Sequence, residues 1–117
     1  MIFITGGAYQ GKYKYALENF TDEYTIINAY QDIVRQQLHQ GKNPLLEAES
    51  LLKYYEGTAD AQPESLIIIC DEVGCGVIPM DAFERQYRES VGRTACLFAD
   101  RADRVLRLVC GIPVRLK

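Results

Sequence analysis

The chain opens with Ile2-Phe3-Ile4-Thr5, a short apolar and β-branched run that stops at the pair Gly6-Gly7, the pattern of a buried strand entering a tight turn. From Lys12 to Phe20 the residues Tyr13, Ala16, Leu17 and Phe20 recur at the helical period, which predicts a helix burying that face and leaves Lys12 on the surface. Thr25-Ile26-Ile27 reads as a second short strand, and Tyr30, Val34 and Leu38 as one face of a second helix that stops at Gly41. Asn43 is a good N-cap and Pro44 suits the first helical position. Leu45, Ala48, Leu52 and Tyr55 then line one side of a third helix closed by Gly57.

Residues 57–65 are polar, contain Gly57 and Pro63, and are predicted as a loop. The run Leu66-Ile67-Ile68-Ile69-Cys70 is continuous rather than alternating, as in a strand buried on both faces in the middle of a parallel sheet. After a loop through Pro79, Asp81 can cap a long helix reaching Phe98. Its inner side carries Phe83, Tyr87, Val91, Ala95 and Phe98, and its outer side Glu84, Arg85, Arg88 and Glu89. Val105, Leu106, Leu108, Val109 and Cys110 make the last strand, with Val114-Arg115-Leu116-Lys117 as a tail beyond Gly111 and Pro113. Strands separated by helices predict an α/β fold, a mainly parallel sheet of about four strands with helices on both faces.

At 117 residues the chain is expected to form a single domain, 1–117. Its 48% hydrophobic and 25% charged residues exclude the composition of a disordered segment. A formal charge of −3 gives no general attraction for nucleic acid or for an anionic membrane, so neither is expected as a partner. The apolar start is too short for a secretory core or a membrane span, and a cytoplasmic location is expected. Cys70, Cys75, Cys96 and Cys110 lack the paired spacing of a metal site. Cys70 and Cys110 end apolar runs and are expected as buried small hydrophobes.

Gly6-Gly7-Ala8-Tyr9-Gln10-Gly11-Lys12 satisfies the G-x-x-x-x-G-K part of a phosphate-binding loop, placed between a strand and a helix as that chemistry requires. Backbone amides around Gly6, Gly7, Ala8 and Gly11 would wrap phosphates while Lys12 reaches their outer oxygens; the alternative is a plain glycine turn with a surface lysine. Tyr13 stands where a Ser or Thr hydroxyl normally meets Mg²⁺, and its oxygen lies too far out to replace that ligand. Asp71 and Glu72 end the apolar strand, at the edge where open α/β sheets bind ligands. Either could hold a metal or orient a nucleophile, or both could simply be solvated. Gly74 and Gly76 permit a loop that approaches a ligand closely.

The stretch Asp71-Glu72-Val73-Gly74-Cys75-Gly76-Val77-Ile78-Pro79 resembles the asparagine-glutamate-valine-glycine loop of the adenosylcobinamide kinase/adenosylcobinamide-phosphate guanylyltransferase family of cobalamin synthesis. Tyr87 to Arg93, Ala102 to Val105, Gly111 to Lys117 and the glycine loop with Lys12 are similar to that family as well. The resemblance implies a P-loop NTPase-like, RecA-like fold, ATP or GTP as the bound nucleotide, adenosylcobinamide as a partner molecule, and a homo-oligomer. It also implies that Lys12 and Glu72 carry the chemistry, with Gly6, Gly7, Ala8, Gly11, Tyr13, Asp71, Gly74 and Gly76 around the ligand. The chain departs from the family at the histidine that becomes guanylylated, which His39 does not replace, at Tyr13, and at Asn28, where the family has an acidic residue. Guanylyl transfer is therefore not expected, and the need for Mg²⁺ is open. Two functions stand side by side: a trimmed kinase, and a silent module that binds nucleotide or corrinoid and acts with a partner. For self-association the helix from Asp81 to Phe98 is the expected contact, through Tyr87, Arg88 and Arg93, against the alternative that its aromatic side is core.

Overall fold

The structure is a computed structural model, and it describes residues 1–57, 63–74 and 80–117. A five-stranded sheet runs through it, built from β1 (Ile2–Gly6), β2 (Thr25–Ile27), β3 (Leu66–Asp71), β4 (Arg104–Val109) and β5 (Ile112–Arg115) in the order β2-β3-β1-β4-β5. The first four strands are parallel, and β5 returns antiparallel on β4. The helices are α1 (Lys12–Asn19), α2 (Tyr30–His39), α3 (Pro44–Gly57) and α4 (Ala82–Arg101). This is the α/β architecture expected, with one strand more.

The extra strand is the segment read as a tail. Cys110 (φ 52°) and Gly111 (φ 78°) form the two-residue turn of a β-hairpin, with both central residues left-handed as the strand twist demands. Cys110 is thus exposed in a turn, and the expectation that it is a buried hydrophobe is corrected. Val105 donates to the Lys117 carbonyl (3.1 Å) and accepts from the amides of Leu116 (2.9 Å) and Lys117 (3.3 Å), a β-bulge. Alternation from that bulge turns the nitrogen of Pro113 outward, where a proline withholds the donor that a further strand would use.

The two sheet faces are covered unequally. On one, Ile2, Ile4, Ile67, Ile69, Leu106 and Leu108 pack with Ala16 of α1 and the partly buried Tyr15 and Phe20. On the other, Phe3, Leu66, Ile68, Cys70 and Val105 pack beneath Tyr30 and Val34 of α2, Ala48 and Leu52 of α3, and Tyr87, Val91 and Phe98 of α4. The continuous apolar run of β3 follows from burial on both sides, since none of Leu66 to Cys70 is more than 2% exposed. Phe98 lies fully buried between the rings of Tyr30 (4.7 Å) and Phe3 (5.8 Å). Burial pushes the Tyr30 hydroxyl up to about 12, so it stays protonated.

The caps follow the sequence. Asn43 Oδ1 accepts from the amides of Leu45 (3.1 Å) and Leu46 (3.4 Å), and Asp81 Oδ1 from Phe83 (2.7 Å) and Glu84 (3.4 Å). Two expectations fail. Tyr13 and Leu17 are exposed while Lys12 and Ala16 are buried, because α1 is rotated so that Lys12 reaches a carboxylate on β3. Tyr87, expected at a subunit contact, is buried beneath Arg35, whose guanidinium sits 4.0 Å from its ring and which pairs with Glu84 at 2.6 Å. Among the described residues no helix is long and apolar enough to cross a membrane.

Candidate functional site

Strands β1 and β3 are neighbours, yet the helices that follow them, α1 and α4, pack on opposite faces of the sheet. That divergence opens a crevice at their carboxyl ends, the place where open α/β sheets take ligands. Gly6 forms its lip, in register between Asp71 and Leu108, and its carbonyl accepts from the Glu72 amide (2.8 Å). A Cβ on Gly6 would lie 2.6 Å from the Leu108 carbonyl oxygen, and φ is +144°, so only glycine fits.

The segment from Gly7 to Gly11 loops back into α1, with Gly11 (φ 85°) as its left-handed N-cap. Lys12 is only 6% exposed. Its Nζ donates to the Gly7 carbonyl (2.6 Å) and lies 2.7 Å from Asp71 Oδ1, which corrects the expectation of a surface lysine. A buried ammonium needs such partners, and this pair joins the glycine loop to the adjacent strand. Gln31 of α2 fixes the backbone beneath the carboxylate, its Oε1 accepting from the Asp71 amide (3.0 Å). Tyr9, Gln10, Gly11, Lys12, Tyr13, Asn28, Gln31 and Asp71 line a cleft of about 260 Å³. Gly7 and Ala8 belong to the same loop, with Ala8 exposed.

Period-two alternation separates the two acidic residues. Asp71 faces the cleft, whereas Glu72 meets Arg107 of β4 in a two-pronged pair (2.8 and 3.1 Å). Glu72 therefore does not line the cleft that contains Lys12. Gly74 (φ 100°) lies beside the Arg88 guanidinium, and Gly76 falls outside the described residues. Burial, with the Asp71 charge next in weight, pushes the Cys70 thiol up to about 12, which removes it as a nucleophile at neutral pH. His39 sits exposed at the end of α2, stacked on Phe83 (4.5 Å), and does not line the cleft.

Among the described residues no three His, Cys, Asp or Glu side chains converge as a metal site, and Asp71 is the only carboxylate lining the cleft. That donor set fits Mg²⁺ in one way: a single carboxylate with the remaining positions filled by ligand phosphates and water. Tyr13, about half exposed, carries a phenol in place of the usual Ser or Thr hydroxyl.

Sequence reasoning passed over Gln10, Gln31 and Arg107. Gln10 ties the loop to the β4–β5 turn, its Oε1 accepting from the Cys110 amide (2.5 Å) and its carbonyl from the Gly111 amide (2.9 Å). Arg107 did leave a signal, a charge inside the apolar strand Val105-Leu106-Arg107-Leu108-Val109. The two glutamines left none, since their partners are remote in sequence.

A mainly parallel sheet with a glycine loop leading into α1 and a crevice beside its lysine defines the P-loop NTPase-like class of α/β folds. Residues 18–116 match the family described as cobinamide kinase / cobinamide phosphate guanyltransferase, and the chain belongs to that family. The match begins inside α1, beyond the glycine loop. Over 55 residues, 47% of this chain, it is 34% identical to the bifunctional adenosylcobalamin biosynthesis protein CobU of Salmonella typhimurium, covering 30% of that protein. It is likewise 34% identical over 55 residues to the bifunctional adenosylcobalamin biosynthesis protein CobP of Pseudomonas aeruginosa, covering 32% of it. CobU of Escherichia coli is 33% identical over the same length, again 30% of that protein. The matched segment thus spans about a third of the length of these curated relatives.

Proposed function

We propose that the chain binds a nucleoside triphosphate, ATP or GTP, in the Lys12 crevice and passes its terminal phosphoryl group to a hydroxyl of adenosylcobinamide. The observation that carries this reading is the placement of Lys12, nearly buried where the glycine loop meets Asp71 of the neighbouring strand. Phosphoryl transfer needs chiefly positioning and neutralised charge, which a fixed lysine, loop amides and one carboxylate for Mg²⁺ can supply. The cleft of about 260 Å³ holds a phosphate chain and leaves the base and sugar outside it. Membership of the cobinamide kinase family supports the acceptor. Guanylyl transfer through a histidine is not part of the proposal, because His39 is the chain's single histidine and lies away from the cleft.

Calorimetric titration with ATP and GTP, followed by mass spectrometry of adenosylcobinamide incubated with each, tests the proposal. Binding with a mass gain of one phosphoryl group is expected. Absence of binding to either nucleotide rejects the site. A second reading, a module that binds nucleotide without turnover, is favoured by Tyr13, which deprives the loop of its usual hydroxyl. Binding without a phosphorylated product would select it.

A further inference from the structure

A triphosphate seated in the Lys12 cleft leaves its base at the rim, and the rim carries two aromatic rings. Tyr9 comes from the glycine loop and Tyr13 from the first turn of α1, and both line the cleft. Among the described residues the exposed aromatic side chains are Tyr9, Tyr13 and Tyr54, and Tyr54 packs edge-on against Tyr55 at 5.3 Å. Tyr9 is fully exposed and Tyr13 is 47% exposed. Neither ring rests on another, and neither hydroxyl has a hydrogen-bond partner among the described residues. The two aromatic rings that pack on nothing within the chain are thus the two beside the cleft. Tyr9 also holds φ at 59°, a left-handed backbone that a bulky residue adopts only at a cost. Asparagine would make the same turn more easily, so the shape of the loop does not by itself account for a tyrosine there.

Resting on the nucleotide reading above, we propose that Tyr9 and Tyr13 hold the base of the bound nucleotide by stacking on its faces, so that the site takes either purine triphosphate in preference to a bare polyphosphate. Tyrosine suits this work, because it offers a large flat surface and loses little side-chain freedom when it is covered. The side-chain amides along the cleft are mostly engaged elsewhere. Gln10 Oε1 accepts from the Cys110 amide and Gln31 Oε1 from the Asp71 amide, which leaves Asn28. The rim therefore presents ring faces more than a pattern of donors and acceptors, and stacking on a face distinguishes adenine from guanine weakly.

The test is calorimetric titration of ATP, of GTP, and of tripolyphosphate as a probe without a base, into the full chain at one Mg²⁺ concentration. Wild type is expected to bind both nucleotides at least about tenfold more tightly than tripolyphosphate. Tyr9→Asn removes one ring while keeping a residue that tolerates the left-handed turn, and Tyr13→Ala removes the other from a helix that accepts alanine. Each should weaken ATP and GTP by about tenfold and leave tripolyphosphate where it was, whereas Tyr9→Phe and Tyr13→Phe retain the nucleotide affinity. Unchanged nucleotide affinity in Tyr9→Asn and Tyr13→Ala overturns the proposal. So does an equal loss for tripolyphosphate, which would mark the rings as props of the loop, or an equal loss in the Phe variants. Wild-type binding of tripolyphosphate as tight as that of ATP, abolished by Lys12→Met, keeps the phosphate cleft and overturns only the role of the rings. No binding of any of the three ligands overturns both.

Discussion

Gln10 and Cys110 lie 100 residues apart in the chain, and the side chain of one accepts the backbone hydrogen bond of the other at 2.5 Å. With the Gln10 carbonyl also accepting from Gly111 (2.9 Å), the tip of the β4–β5 hairpin becomes a brace for the glycine loop. The loop's shape is thus not local. Gln10 holds it against the hairpin from 100 residues away.

Gln10→Ala removes one of the two contacts and leaves the Cys110 amide to water. Because the Cys110 turn is exposed, stability should fall by no more than about 1 kcal/mol. Affinity for a triphosphate should drop more than stability does, since the loop loses preorganisation. Thermal unfolding set beside calorimetric affinity checks the split, and equal proportional losses would reduce Gln10 to a purely structural role.

Cys110 holds a left-handed backbone (φ 52°) that an unbranched L-residue adopts at a cost of about 1 kcal/mol. Asparagine tolerates that region, and Asn-Gly is the preferred sequence for this hairpin turn. Cys110→Asn should therefore raise the urea midpoint by the equivalent of about 0.5–1 kcal/mol, and the bond to Gln10 survives because it uses the backbone amide. A lower midpoint would mean that the thiol makes a contact worth more than the relieved strain.

Much of the fold was legible in the chain, and the reasons are local. Ile2 to Lys12 announced strand, loop and helix because the glycines interrupt one period and the next begins at once. Asn43-Pro44 and Asp81 marked helix starts by their own hydrogen-bonding chemistry. What could not be read depends on remote partners. The burial of Lys12 in place of Tyr13 is decided by Asp71, and the partner that Glu72 meets is Arg107 of β4. Strand β5 was hidden because Ile112-Pro113-Val114-Arg115 is short, exposed throughout and broken by a proline, and only the neighbouring β4 makes it a strand.

Thr94 stands on the inner side of α4, 1% exposed, and its hydroxyl oxygen has no hydrogen-bond partner among the described residues. A buried polar group left unpaired costs about 1–3 kcal/mol, and Val has nearly the same shape. Thr94→Val should therefore raise the melting temperature, by the equivalent of about 1 kcal/mol. Destabilisation in a melting experiment would show that the hydroxyl is satisfied after all.

The pair between Arg35 and Glu84 fastens α2 to α4 through two contacts, at 2.6 and 3.2 Å, with the guanidinium lying over Tyr87. The hydrogen bond from Arg35 holds the Glu84 carboxyl below its usual range. A carboxyl whose folded value is depressed binds protons less readily in the native state than in the unfolded chain. Its contribution is therefore fully present above the unfolded value of about 4.3 and is lost as pH falls through the lower folded value. Glu84→Gln should accordingly lower the urea midpoint at pH 7, and lower it by less at pH 2.5, which lies below the unfolded value. Arg35→Ala should lower it at both values, since it also uncovers the Tyr87 ring, which is only 6% exposed in the native packing. If Glu84→Gln leaves the midpoint at pH 7 unchanged while Arg35→Ala lowers it, the ion pair contributes nothing of its own, and the packing of Arg35 on Tyr87 is what joins the two helices.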